Sequence, residues 1–317
     1  MSMRSFTRRR CGPYAVLAAV TGLLAAGCGG AGDGTPASRD GTGPARTTLL
    51  QAADRGPDPF TASTVLTSDV APKRGSGPDA SPDPAGSAAP PPPRTVDGAT
   101  PGLYGAAQSL PSCDIEQQAG FLAADSAKAG AFARAAGINQ SGLAAWLRGL
   151  TSVMLRADTR VTGHGYRDGA PVPYPAVLQA GTAVLVDAYG APRVRCADGS
   201  PLRTPDDGRP AGGGARHEGR AWAGYAPERV IAVQPTVRTL DSLIVVNVVN
   251  ESWLERAVGT TGEQDREPGT PPAYRPADRP VADAAVPDAS GGHDVGREGQ
   301  VAAGDPDGLL VGPVNVG

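Results

Sequence analysis

Between residues 112 and 150 apolar residues recur three and four positions apart, and beyond Leu150 they recur every second position. The first pattern predicts three short helices. Asp114, with Gln117 three residues on, is a capping-box pair opening a helix over 115–124, with Ile115, Phe121 and Leu122 facing inward. Ser126 is placed to cap a second helix through Phe132 to Ala136, stopped by Gly137. Ser141 is placed to cap a third, with Leu143, Trp146 and Leu147 on one face and Gly149 at its end. The second pattern predicts strands. Val153, Leu155 and Ala157 alternate with other positions, and 159–162 continues the alternation. Residues 182–187 and 192–196, joined around Ala188-Tyr189-Gly190, read as a β-hairpin. A Gly-rich loop at 207–220 precedes two more strands at 229–234 and 243–249, the second apolar enough to sit centrally. Helices first and strands after predict an α+β fold, with three short N-terminal helices packed on a mostly antiparallel β-sheet.

The chain has 317 residues, and 44 Gly with 32 Pro make about a quarter of it, roughly twice the usual share. Only 4% of residues are aromatic, so the apolar 40% is largely Ala and Val, which bury little area each. One modest domain follows, at 95–258. Residues 28–46 read as a disordered tether and 61–94 as a linker, rich in Pro and Gly and closed by Pro90-Pro91-Pro92-Pro93. Between them, 47–60 is a short island: 47–51 suits a strand, and Gly56-Pro57-Asp58-Pro59-Phe60 is turn chemistry with one apolar plug. Residues 259–317 carry ten acids and four arginines and read as a disordered acidic tail. The formal charge of −3 and the scattered basic residues leave no basis for nucleic-acid binding.

The first 27 residues look like a signal peptide. Arg4, Arg8, Arg9 and Arg10 precede an apolar stretch from Tyr14 to Ala26 that is too short to span a bilayer stably. It ends in Leu24-Ala25-Ala26-Gly27-Cys28, small residues before a cysteine, as in a bacterial lipobox. On this reading Cys28 carries the lipid, which anchors the protein on the extracytoplasmic face of the cell membrane. An ordinary secretory signal is the alternative. With Cys11 removed and Cys28 lipidated, Cys113 and Cys196 remain as a pair in an oxidising compartment and are expected to form a disulfide. Zinc held by both thiolates with His164 and Asp198 is the competing arrangement, but the spacing matches no metal motif, and neither metal nor cofactor is expected.

Several strings resemble a known family. They are Arg94-Thr95-Val96-Asp97-Gly98, Thr100-Pro101-Gly102-Leu103-Tyr104-Gly105, Ser112-Cys113-Asp114, Trp146-Leu147-Arg148-Gly149-Leu150-Thr151, and 155–162 with 178–187. Together with 47–60 they are similar to an exported domain of unknown function from Streptomyces and related actinobacteria, often a lipoprotein. Where such relatives tend to have Asn-His-Gly and Cys-Ala-Cys-Gly-Asn-Pro-Leu, this chain has Gly163-His164-Gly165 and Cys196-Ala197-Asp198-Gly199-Ser200-Pro201-Leu202. The resemblance implies an extracytoplasmic surface module and supplies no reaction.

Two groups of residues are candidate ligand contacts. Asp158, Arg160, His164, Tyr166, Arg167 and Asp168 form the densest polar cluster. His164 oriented by Asp158 or Asp168 would make the general acid/base of an envelope hydrolase, although no nucleophile motif accompanies it. The plainer reading is a turn at Gly163-His164-Gly165 flanked by ion pairs. Trp222 and Tyr225, beside Gly224 and Pro227, are flat rings suited to sugar faces, or else a plug at the edge of the core. The function expected is therefore a lipid-anchored binding or interaction module for cell-wall glycan or an envelope protein, with the hydrolase as the alternative.

Overall fold

The computed structural model describes residues 46–66, 94–205 and 217–277. The segments expected as a signal peptide and as a tether with Cys28, most of the expected 61–94 linker and residues 278–317 lie outside the described residues. Among the described residues thirteen strands run in chain order as β1 (Thr47–Leu50), β2 (Arg94–Asp97), β3 (Tyr104–Ala106), β4 (Thr151–Leu155), β5 (Thr159–Arg167), β6 (Ala170–Leu178), β7 (Ala183–Val186), β8 (Pro192–Arg195), β9 (Ser200–Arg203), β10 (His217–Glu218), β11 (Ile231–Gln234), β12 (Ser242–Asn247) and β13 (Trp253–Ala257). The helices α1 (Ile115–Ala123), α2 (Ser126–Ala136) and α3 (Leu143–Arg148) fall between β3 and β4.

This corrects the expected fold class. The protein is β-rich, built on one large mixed sheet, and its few helices are an insertion after three strands rather than an N-terminal layer. Seven of the twelve strand pairings among the described residues are antiparallel, but the sheet is mixed, because β1 pairs in parallel with both β6 and β10, β11 with β2 and β5, and β12 with β3. The strands that sequence reading overlooked explain the error. β2 and β3 are too short to show a period of two. β6 carries Pro171, Pro173 and Pro175, and proline ordinarily argues against a strand.

The prolines of β6 are tolerated because of where their missing N–H groups point. Asp168 and Gly169 have φ of 51° and 77°, as both central residues of a type I′ turn require, and the hairpin closes on Arg167 opposite Ala170. A two-residue loop closes on a hydrogen-bonded pair, so Ala170, Val172 and Tyr174 bond to β5 while the prolines face the opposite edge. There β1 reaches only Ala176, Val177 and Leu178, and nothing is lost by having no donor.

Local signals place the helices well. The Asp114 carboxylate accepts from the Gln117 N–H at 2.8 Å, and α2 ends on Gly137 at φ 74°. The second cap is Asp125, which accepts from the Lys128 N–H at 3.0 Å, with Ser126 as the first helical residue. α3 begins after a 3-10 turn at Gln140–Gly142 with no side-chain cap. No helix among the described residues is long and apolar enough to cross a membrane.

Side chains from both ends of the sheet meet in one apolar core, which includes Leu50, Val96, Tyr104, Val153, Val161, Leu178, Val184, Ile231, Val245 and Leu254. A second core gathers the helices, through Leu122, Phe132 and Leu147, around Phe60, Leu185 and Val194. The segment after β13, expected as the start of a tail, returns to the body over residues 259–277. Arg256 is fully buried; its Nη2 and Nε donate to Asp265 at 2.6 and 2.8 Å, and its Nη1 donates to Ser152 O at 2.6 Å. The Trp253 indole N–H donates to Tyr274 O, and the Tyr274 hydroxyl to Pro101 O, both at 3.1 Å.

Two turn glycines of similar φ provide a local test. A Cβ on Gly169 would meet nothing within 4 Å, whereas on Gly190, at φ 72°, it would lie 2.4 Å from Gly98 O. Gly169→Ala is expected to cost only the left-handed penalty of about 1–2 kcal/mol. Gly190→Ala must also displace a buried backbone and is expected to cost clearly more, as read from urea denaturation midpoints. Equal losses would show that the backbone at Gly98 yields freely.

Candidate functional site

The polar cluster read along β5 is pulled apart by the strand that carries it. At ~3.3 Å per residue, Asp158 and His164 are about 20 Å apart along the chain, and Asp168 lies about 13 Å beyond His164. No acid/base pair of His164 with either carboxylate is assembled. His164 is 7% exposed and its Nδ1 lies 3.1 Å from Pro201 O, an atom that only accepts, so Nδ1 carries the proton. Tyr166 packs its ring on Phe60 at 5.5 Å, with the Lys128 ammonium 5.6 Å from its centroid. Arg167 donates to Asp58 at 2.5 Å, and Asp168 occupies the exposed hairpin turn. Half-buried Arg160 stands opposite Val177 and so shares the face on which Leu49, Val177, Trp222 and Val230 cluster.

Asp158 belongs elsewhere than sequence reading put it. One carboxylate oxygen accepts from the Ala180 N–H at 2.8 Å and the other from the Trp222 indole N–H at 3.1 Å. The two candidate groups thus meet through Asp158 and Trp222. Trp222 is only 8% exposed, so its faces are not open for stacking. It serves as a support on which Tyr225 stands edge-on, with ring centroids 5.0 Å apart. Tyr225 is half-buried and meets exposed His217 at 5.7 Å, its hydroxyl 3.4 Å from His217 Nε2. Burial pushes the Tyr225 phenol up to about 12, with the Asp158 and Glu228 charges adding to the rise. Burial also lowers His217 below the usual histidine value, so both rings are uncharged near neutral pH. Two neutral rings at the β10 edge can pack against a sugar face or an apolar side chain. His217 was missed because it stands at the end of a Gly-rich loop with no local pattern to mark it.

A dense buried polar cluster lies at the β8–β9 corner. Arg195 and Asp198 are both fully buried and joined at 2.6 Å. Arg195 also donates to Gln51 O at 2.8 Å and to Asp54 O, while Asp198 accepts from the Gly56 N–H at 2.8 Å and the Ser200 N–H at 3.0 Å. Burial, and next the Asp198 charge, raise the Tyr174 phenol above its ordinary value. Beside this corner Cys113 and Cys196 form a disulfide, with their Cα atoms 6.0 Å apart. The zinc alternative fails on these contacts: the sulfurs are bonded to each other, Asp198 is committed to Arg195, and His164 faces a carbonyl.

No curated protein and no solved structure matches the chain. A family model described as a domain of unknown function, DUF6777, matches residues 94–259, more than half of the 317 residues. The chain therefore belongs to the DUF6777 family of domains of unknown function.

Proposed function

We propose that this chain is an exported, lipid-anchored binding module that contacts cell-wall glycan or an envelope protein through the Tyr225 and His217 rings. The observation that carries the reading is the Asp158–Trp222 hydrogen bond under Tyr225. A buried indole fixed by a carboxylate holds a half-exposed tyrosine in one orientation, so little ordering cost remains when a flat ligand packs on it. The buried disulfide supports export, since such bonds persist in oxidising compartments. The anchor rests on Cys28 and the lipobox before it. Two acyl chains on one cysteine hold a protein at a membrane far better than a single chain.

The full chain is tested for co-sedimentation with purified cell-wall sacculi, beside Tyr225→Ala and Trp222→Phe. Saturable binding is expected, reduced roughly 2- to 13-fold in Tyr225→Ala, as loss of one stacking contact worth roughly 0.5–1.5 kcal/mol implies. Trp222→Phe removes the hydrogen bond to Asp158 and is expected to weaken binding less. Binding unchanged in Tyr225→Ala would remove these rings from the reading, and capture of an envelope protein without sacculi would name the other partner class. Labelled palmitate should enter the wild-type chain and not Cys28→Ala; equal labelling, or none, would remove the anchor.

A further inference from the structure

Residues 46–66 are separated from the body of the domain by residues 67–93, yet they fill a slot in that body along their whole length. β1 lies inside the sheet, with Thr48–Leu50 against Ala176, Val177 and Leu178 on one side and Thr47 and Thr48 against His217 and Glu218 on the other. The turn that follows supplies the Gln51 and Asp54 carbonyls to Arg195 and the Gly56 N–H to Asp198. The fit is close, because a Cβ on Gly56 would fall 2.4 Å from the Asp198 carboxylate. Asp58 O accepts from the Tyr166 N–H at 2.6 Å, and Phe60, fully buried, meets Phe132 edge-on at 5.7 Å. The last residues run between the two disulfide-bearing segments: Thr64 N–H donates to Cys196 O, Asp114 N–H to Thr64 O, and Leu66 N–H to Ser112 O.

We propose that this slot is a strand-acceptor site that takes residues 46–66 of a second copy as well as its own. None of these contacts depends on the two parts belonging to one chain. An empty slot would strip carbonyl partners from a fully buried guanidinium and a donor from its carboxylate, so the slot demands an occupant and exchange is favoured over simple release. The connection is long enough for exchange. Its 27 residues, 67–93, reach at most ~90 Å, whereas a body of this size has a radius of gyration of about 16 Å. Contacts are the same within and between copies, so the balance is set by effective concentration, on the order of 1 mM for such a link.

The test uses the full chain with Cys11 and Cys28 replaced by serine. One copy carries Thr48→Cys and the other, distinguished by mass, carries Glu218→Cys, the residues opposite each other between β1 and β10. Mixed at millimolar concentration and oxidised with glutathione disulfide, the pair is expected to yield a heterodimer linked between positions 48 and 218, identified by peptide mass spectrometry. A tenfold dilution from about 1 mM should cut the linked fraction roughly three- to fourfold, because the starting concentration matches the effective one. The double variant Thr48→Cys/Glu218→Cys must close its bond within one chain. Closure there with no heterodimer at any concentration would overturn exchange, and failure to close would overturn the slot itself.

Discussion

Asp198→Ala is expected to cost about 3–5 kcal/mol, because it leaves the Arg195 guanidinium buried without its counter-charge. In a domain of this size that corresponds to a fall in Tm of roughly 6–20 °C. The carbonyls of Gln51 and Asp54 still face the guanidinium and offset only part of the loss, since neither carries a charge. The paired change Arg195→Met/Asp198→Leu should recover a good part of the stability, as apolar replacements of buried pairs often do. Recovery should remain incomplete, because those two carbonyls would then have lost their donor. A double-mutant cycle on urea midpoints separates the terms. A cost below about 1 kcal/mol for Asp198→Ala is the size expected of an exposed pair and would contradict a fully buried one.

Removing the disulfide should cost a comparable amount. Cys113 and Cys196 are 83 residues apart, and opening a loop of that length restores about 4–5 kcal/mol of chain entropy to the unfolded state. The sulfurs also staple the start of α1 to the end of β8, on either side of the strand-like run at 61–66. Cys113→Ala/Cys196→Ala should therefore unfold at lower urea with an altered m-value, because the unfolded chain is less constrained and exposes more surface. Unfolding of the wild-type chain in strong reductant must reproduce the shift. A variant as stable as the oxidised protein would mean that the unfolded state is compact enough to make the link redundant.

The elements that were legible in the sequence are those whose determinants lie within a few residues. Asp114 and Gln117 are one helical turn apart, so the cap is visible as a spacing. The second cap was displaced by one residue because Asp125 and Ser126 are both good caps, and only the backbone geometry selects Asp125. The hairpin of β7 and β8 showed its turn residues and flanking apolar runs. Asp168-Gly169 carried an equally strong turn signal, but the prolines after it hid the strand, and Asp168 was grouped with His164 instead. The error over fold class came from the same source, since short strands and a proline-bearing strand leave no periodic trace.

Residue pattern alone determined the Asp114 cap of α1, the Gly137 end of α2, the β7–β8 hairpin, the strands β4, β11 and β12 and the pairing of Cys113 with Cys196, each of which is local or follows from elimination. Only the tertiary structure decided that β1 enters the sheet, that Arg195 and Asp198 close a buried corner with residues 51–56, and that Asp158 supports Trp222 from 64 residues away. It also decided that residues 259–277 return to bury Arg256. The physical reason is that pairings between distant segments are chosen by side-chain fit and by the satisfaction of buried polar groups, and neither leaves a mark on the residues nearby in sequence.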